Sequence, residues 1–137
     1  MQTFLPYPDM IESARVLDRQ RLGKQRVEAK QILTALGKTS GGWVNHPAVK
    51  MWRGYEPTLA LYGWSTCHVW RARGYKDSLM DWFYDLSTGG MDLRPSWWGD
   101  PDFHRSHQSN LIRKDPVHYA PLFPGVPDDL PYIWPTP

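Results

Sequence analysis

The sequence has a single cysteine, Cys67, and therefore cannot form a disulfide bond within the chain. It has no apolar run that approaches the roughly 18 residues of a membrane-spanning helix. The first ten residues contain two prolines and an aspartate where a secretory signal has its apolar stretch. These absences argue against a disulfide-rich secreted domain and against a membrane protein. We expect a cytoplasmic protein without membrane association.

The sequence also has little net charge, and its balance of +2 does not by itself argue for a nucleic-acid partner. The charge is unevenly distributed, however. The segment from Arg15 to Lys30 contains six basic residues and only two acidic ones, Asp18 and Glu28, so its local net charge is +4. Such a basic segment suits a phosphate-bearing partner.

Apolar residues are plentiful, with 41% hydrophobic and 14% aromatic residues. This composition is typical of a folded domain and unlike that of disordered chains. A chain of 137 residues has the size of one domain and can bury a core without a disulfide or a structural metal. We therefore expect one domain over residues 1–137.

Helix signals run through the first ninety residues. Asp9 stands at a capping position with Glu12 three residues later, which predicts a helix start near residue 9. Apolar residues then recur at helical spacing as far as Gly37, which predicts one long helix or two abutting helices, with Gly23 as the candidate break. Further helices are predicted at three places: a short turn from His46-Pro47, a helix from Glu56-Pro57 to Arg73, and a short helix from Asp77 to Leu86. The fold class is all-α, with a helical core over residues 1–90.

Residues 91–137 are predicted to be a loop followed by a proline-rich tail. Seven of the thirteen prolines lie at or after Pro116, so the tail cannot be helical. It is too apolar for a plain linker, and we expect it to lie extended across the helices. Its apolar side chains include Leu122, Phe123, Tyr132, Ile133 and Trp134.

The basic helix carries one carboxylate among its cations. Arg21, Lys24, Gln25 and Glu28 are spaced so that they share one face of the helix. One interpretation is a solvated face with helical ion pairs. The other is that the cations hold phosphates while Glu28, kept ionised by its positive neighbours, acts on a sugar or base between them.

Three motifs resemble those of a known family. The order Gln20, Arg21, Leu22 and then Glu28 is followed by Asn45-His46-Pro47 and by Arg73-Gly74-Tyr75. Over roughly its first 75 residues the chain thereby resembles the pyrimidine-dimer DNA glycosylases, also called the phage-type endonuclease V family, in their bacterial branch.

The resemblance implies a small all-helical enzyme that needs no cofactor. Glu28 would be the acid/base, and the amine of the chain terminus would attack the sugar to form an imine. The family's best-known members expose a Thr amine after loss of Met, whereas this chain begins Met1-Gln2-Thr3. A bulky second residue keeps the initiator Met, so the nucleophile would be the amine of Met1. An α-amine suits this role because its ordinary pKa of about 7.7 to 8.0 leaves a substantial neutral fraction.

A second polar cluster lies between Phe103 and Lys114. His104 and His107, three residues apart, suggest a metal site, but no partner cysteine or acidic pair stands at a useful distance, and we expect no metal. Contact with phosphate or base is one alternative, together with Arg113 and Lys114. The other is that the two histidines tie the tail to the core.

Several tryptophans allow either base stacking or core packing. For Trp97-Trp98 we favour a hydrophobic anchor for the tail. Trp43 and Trp52 flank the Asn45-His46-Pro47 turn, and Trp43 is the better stacking candidate if this turn faces the substrate. The complete set of residues predicted to contact DNA is Arg19, Arg21, Lys24, Gln25, Arg26, Trp43, Asn45, His46, His104, His107, Arg113 and Lys114.

The leading hypothesis is a monomeric DNA glycosylase, with or without AP-lyase activity, that excises a damaged or modified pyrimidine from duplex DNA. One alternative is a non-catalytic DNA-binding protein on the same fold, which the Met1-Gln2 start favours. The other is an enzyme that acts on free nucleotides or nucleosides, which the modest net charge would suit.

Overall fold

The computed structural model describes residues 1–136, which form seven helices and no strand. The all-α prediction is confirmed. The helices are α1 (Met10–Arg15), α2 (Arg19–Leu36), α3 (Pro47–Lys50), α4 (Glu56–Ala72), α5 (Met80–Ser87), α6 (Pro101–Lys114) and α7 (Pro116–Tyr119). Among residues 1–136, no helix is both long and apolar enough to cross a membrane.

The first helical region is divided before Arg19, not at Gly23 as the sequence suggested. Asp18 caps α2 by accepting a hydrogen bond from the Arg21 amide, and its own amide donates to the Tyr119 hydroxyl at 2.9 Å. Gly23 instead lies within α2, where a Cβ atom would come 3.1 Å from the ring of Trp70. The glycine therefore allows α2 to pack closely against α4.

The core consists of two clusters of buried side chains. The larger cluster includes Trp52, Tyr62, Phe83 and Phe103, none of which is exposed to solvent. Within it α4 and α5 approach so closely that a Cβ atom on Gly63 would lie 2.3 Å from the Phe83 ring. The second cluster joins the α1–α2 junction to the C-terminal helices and is made by residues that include Leu17, Leu22, Leu111, Tyr119 and Phe123.

The segment predicted as loop after residue 90 contains the helix α6, so that expectation was wrong. The ends of α6 carry ordinary helix signals, because Asp100 caps it, Pro101 is its first residue, and Arg113 and Lys114 lie in its last turn. Its buried face, however, is largely polar, with His104, Ser106, His107, Ser109 and Asn110 among the buried residues. A polar buried face gives no apolar periodicity from which the helix could be recognised.

The tail after Tyr119 forms no helix up to residue 136 and packs on α6, as predicted. The Leu130 amide donates to the Ser109 hydroxyl at 3.0 Å, and Asn110 donates to the Leu130 carbonyl at 3.2 Å. Phe123 is buried and Tyr132 half-buried. Leu122, Ile133 and Trp134 keep more than a third of their surface exposed.

Candidate active-site cleft

The N-terminal segment, residues 1–5, lies inside the helical fold without regular secondary structure. Gln2 to Leu5 are buried, so their backbone polar groups need partners within the protein. Side chains supply them. The Phe4 amide donates to Gln25 Oε1 at 2.8 Å, and the Phe4 carbonyl accepts from the Tyr62 hydroxyl at 2.8 Å. Trp52 Nε1 donates to the Thr3 hydroxyl at 3.1 Å. The terminal residue is thereby placed by the core.

His104 and His107 hold the next residue of this segment. The Leu5 amide donates to His107 Nδ1 at 2.9 Å, and His104 Nδ1 lies 2.8 Å from the Leu5 carbonyl, which accepts its proton. Both histidines are buried, and burial lowers the pKa of each. Neutral, buried rings are not available to phosphate or base. Both histidines therefore leave the predicted DNA contacts. They tie the N-terminal segment to α6, and His107 also packs against Tyr132 of the tail, with ring centres 6.0 Å apart.

A cleft of about 370 Å³ opens beside the N-terminal segment. It brings together Met1 and Glu28, the two residues to which the sequence assigned chemistry. The rest of its lining comes from the N-terminal segment, from α2, from the end of α6 and from the tail, namely Gln2, Phe4, Gln20, Arg21, Lys24, Gln25, Lys114, Tyr132 and Trp134. A carboxylate and a chain terminus thus share one cavity with three cationic side chains, Arg21, Lys24 and Lys114.

Arg21 lines this cleft and also forms an ion pair with Asp18, the residue that caps α2. Its guanidinium lies 3.1 Å from Asp18 Oδ1, and its side chain is 23% exposed. Burial would raise the pKa of Asp18, but hydrogen bonds from Tyr119 and Arg21 outweigh it and lower the pKa. Lys24 is exposed on the same face, and no ion pair of Lys24 is found within residues 1–136. Both side chains can therefore reach an anion at the mouth of the cleft.

Arg26 points away from the cleft, although the sequence grouped it with the DNA contacts. Its Nε donates to Asp77 Oδ1 at 2.8 Å, and its guanidinium lies over the Trp70 ring. Burial would raise the pKa of Asp77, but the bonds from Arg26 and the Met80 amide lower it. Cys67 lies beside this pair, and burial raises its pKa to about 12, so the thiol is unreactive. Arg26 is therefore a structural residue that joins α2 to the start of α5.

Arg113 and Arg19, which were also predicted to contact DNA, have partners within the protein. Arg113 donates to the carbonyls of Asp128 and Leu130 at 2.9 and 3.3 Å, so it holds the tail on α6. The Arg19 guanidinium lies 5.2 Å from the centre of the Tyr75 ring. Arg19 is exposed but lines a neighbouring groove on α2 rather than the cleft.

The Asn45-His46-Pro47 turn lies close to the chain terminus. His46 caps α3, because its Nδ1 accepts from the Ala48 amide at 3.0 Å. Burial lowers the pKa of His46, and the positive charge of the terminal amine lowers it further. Its ring lies between those of Trp43 and Trp134, with centres 5.7 and 6.0 Å away. Trp43 is 54% exposed, whereas Trp52 is fully buried in the core.

The sequence did not single out Tyr132 and Trp134 as cleft residues, because their aromatic side chains were assigned to packing alone. The two rings lie 5.5 Å apart and line the cleft opposite the basic helix. By contrast, Trp97 is a core residue and Trp98 donates to the Pro8 carbonyl at 2.9 Å, so this pair anchors the segment after residue 5 rather than the tail.

Comparison with known families gives a match. A family model described as pyrimidine dimer DNA glycosylase matches residues 1–82, a range that contains Met1, Glu28, the Asn45-His46-Pro47 turn and Asp77. Comparisons with curated proteins and with solved structures gave no match.

Proposed function

The chain belongs to the pyrimidine dimer DNA glycosylase family, and from this we propose that it excises a damaged pyrimidine from duplex DNA through the amine of Met1 and the carboxylate of Glu28. The observation that supports this proposal best is the cleft in which the chain terminus and Glu28 meet. Family membership makes it a DNA repair protein of the glycosylase kind. The roles of the two residues and the course of the reaction are the proposal.

In the proposed reaction the neutral amine of Met1 attacks C1′ of the damaged nucleotide. The new N–C1′ bond forms as the C1′–N bond to the base breaks, and the base leaves with the electron pair and takes up a proton. The nitrogen then loses one of its two protons, the sugar ring opens at the C1′–O4′ bond as O4′ takes up a proton, and the product is the protonated imine. Loss of a C2′ proton would expel the 3′ phosphate and cleave the strand, which is the AP-lyase step.

Glu28 has two tasks in this sequence. Positive charge develops at C1′ as the base departs, and a carboxylate in the same cleft stabilises it. The carboxyl group can also carry a proton to O4′ when the ring opens. Both tasks require Glu28 near the sugar and not near a phosphate, which its place among cations at the cleft permits.

The cationic side chains that line the cleft would bind the phosphates of the duplex. Arg21, Lys24 and Lys114 surround the cleft on two sides and would contact phosphates on either side of the extruded nucleotide. The Asn45-His46-Pro47 turn lies near the terminus, because the terminal charge lowers the pKa of His46, and Trp43 remains a stacking candidate because its ring is exposed. We expect a monomer to suffice, since the cleft is built within one chain.

Borohydride trapping tests the proposal. Duplexes that contain an abasic site or a pyrimidine dimer are incubated with the full chain and reductant, and the proposal requires a covalent protein–DNA adduct. Mass spectrometry of the adduct should place DNA on the amino-terminal peptide, with Met1 retained. Protein acetylated at its terminus should bind the same duplex without being trapped.

The same experiment distinguishes the alternatives. Tight duplex binding with a steep salt dependence but no base release and no adduct would indicate the non-catalytic DNA-binding protein. Turnover of free nucleosides with little salt dependence would indicate the small-molecule enzyme.

A further inference from the structure

Gln25 is the most completely hydrogen-bonded side chain at the floor of the cleft. It is only 1% exposed, although it lies on the basic helix between the cationic residues Lys24 and Arg26. Because all its partners belong to the protein, it is not available to contact DNA. Gln25 is therefore not a DNA contact, contrary to the prediction, and its set of hydrogen bonds needs another explanation.

The carboxamide of Gln25 has an acceptor half, its oxygen, and a donor half, its nitrogen, and the two halves bind different groups. Its oxygen accepts from the Phe4 amide at 2.8 Å and lies 2.5 Å from the Tyr62 hydroxyl, whose single proton is shared between this oxygen and the Phe4 carbonyl. Its nitrogen donates to the Gln2 carbonyl at 3.0 Å and to Glu28 Oε2 at 2.8 Å. A carboxamide offers two donors and two lone pairs, so every hydrogen-bonding position is used.

The donor half connects the two groups to which the reaction is assigned. One N–H binds the carbonyl of Gln2, one residue from the terminal amine, and the other binds the carboxylate of Glu28, one turn further along α2. The Gln2 carbonyl and the Glu28 carboxylate are thus hydrogen-bonded to the same planar amide. The acceptor half only fixes this amide to the core, through Tyr62 and Phe4.

We propose that Gln25 is a positioning residue that sets the Met1 amine and the Glu28 carboxylate at the separation needed for their reaction. This inference rests on the proposed function for its catalytic consequence. A carboxylate at this position could not replace the amide, because it has no donor for Gln2 and would repel Glu28.

Gln25→Glu tests the proposal, because it keeps the acceptor half and removes both donors. We expect the single-turnover rate constant for base release to fall about 100-fold with the Kd for lesion duplex little changed, since a small misplacement of reacting groups costs this much. Tyr62→Phe is the matched variant: it weakens the acceptor half and keeps both donors, so it should lower the Tm while its rate stays within about five-fold of the unmodified protein. Gln31→Glu, exposed on the same helix, controls for the added negative charge.

The pH dependence separates positioning from loss of stability. Once protonated, the carboxyl introduced by Gln25→Glu regains one O–H donor, so the ratio of the unmodified rate constant to the variant rate constant should fall as the pH is lowered. A variant that is merely less stable would show no such recovery. Rates that fall in proportion to Tm in both Gln25→Glu and Tyr62→Phe would overturn the proposal, as would a Gln25→Glu protein with full activity.

Amide hydrogen exchange without DNA tests the same inference independently of catalysis. In Gln25→Glu the Thr3 amide should exchange at least ten-fold faster than in the unmodified chain, while amides in the middle of α4 keep their rates. If the unmodified protein releases no base but this exchange result is found, the proposed function fails and the structural role of Gln25 stands. Unchanged exchange at Thr3 would overturn the positioning role, whatever the activity.

Discussion

Arg26 and Asp77 form an ion pair in which the Asp77 side chain has no solvent exposure and that of Arg26 is 13% exposed. The two residues are 51 positions apart in sequence. Asp77 also accepts from the amides of Leu79 and Met80 at the start of α5. The pair therefore joins α2 to the start of α5, and it removes Arg26 from the residues predicted to contact DNA.

Arg26→Ala should destabilise the protein without altering its salt-dependent DNA binding. Removing Arg26 leaves the buried carboxylate of Asp77 with only Arg71 at 3.5 Å and two backbone amides, so we expect a loss of up to about 3 kcal/mol, the cost of breaking a buried ion pair. Urea unfolding gives this cost, and the slope of log affinity against log salt should not change. Lys24→Ala is the converse control, with unchanged stability and a slope lower by about one unit. A lower slope for Arg26→Ala in a fully folded protein would return Arg26 to the interface.

Glu28→Gln should abolish base release and leave the affinity for lesion duplex unchanged or tighter. The carboxylate repels phosphate, so its neutralisation removes nothing attractive from the ground state, whereas the developing charge at C1′ loses its stabilising partner. Single-turnover cleavage and fluorescence anisotropy on one duplex measure both effects. Undiminished turnover would remove Glu28 from the reaction.

Acetylation of the terminal amine should raise the pKa of His46. Burial is the larger cause of the lowered pKa of this ring and will persist, but the repulsion from the positive terminus disappears on acetylation. An NMR titration of the His46 ring protons before and after acetylation measures the change. Identical titration curves would place the amine away from the Asn45-His46-Pro47 turn.

The stability of the protein should decrease as the pH falls from about 6.5 towards 3. Burial, with a smaller contribution from His104, holds the pKa of His107 at about 3, against an ordinary value of 6.5. Between these values the unfolded chain binds a proton that the folded chain does not, so acid favours unfolding. At pH 4.5 the loss is about 2 to 3 kcal/mol relative to pH 7. His107→Asn should start less stable at pH 7 but lose less on acidification; equal losses in both proteins would contradict the assignment.

Deleting the residues after Pro121 should lower the Tm sharply or give insoluble protein. The truncation removes Phe123, which is 4% exposed, and half-buried Tyr132. Burial of one large apolar side chain contributes about 1.5 to 3 kcal/mol, against a total stability of about 5 to 15 kcal/mol. Trp134→Ala, at a position 37% exposed on the cleft wall, is the control and should keep the Tm. A truncated chain that melts with the full-length protein would show that the tail adds nothing to the fold.

Local signals in the sequence were sufficient to predict where several helices begin. Asp9 caps α1 by accepting from the Glu12 amide at 2.9 Å, and His46-Pro47 and Glu56-Pro57 begin α3 and α4 as predicted. Each of these signals acts within one helical turn. The meeting of Met1 and Glu28 came from the family resemblance, since no local pattern brings a chain terminus to a helix face.

Long-range partners were beyond what the sequence could reveal. The basic residues of α2 look alike in the sequence, but Arg26 meets Asp77 while Lys24 stays exposed, and only the packing of α4 and α5 against α2 decides between them. Likewise His104 and His107 resemble ligands or phosphate contacts until the N-terminal segment is placed beside them. Polar residues that bind a buried backbone give the same pattern as polar residues that bind a partner.

The two bonds from α6 to Leu5 span 99 and 102 residues of sequence. During synthesis the N-terminal segment therefore lacks part of its hydrogen-bonding partners until α6 has emerged. Contacts of such high sequence separation are entropically expensive and form late in folding. A nascent or truncated chain that lacks α6 would expose its amino terminus as an ordinary flexible end. Reactivity toward DNA would then appear only once α6 has been made.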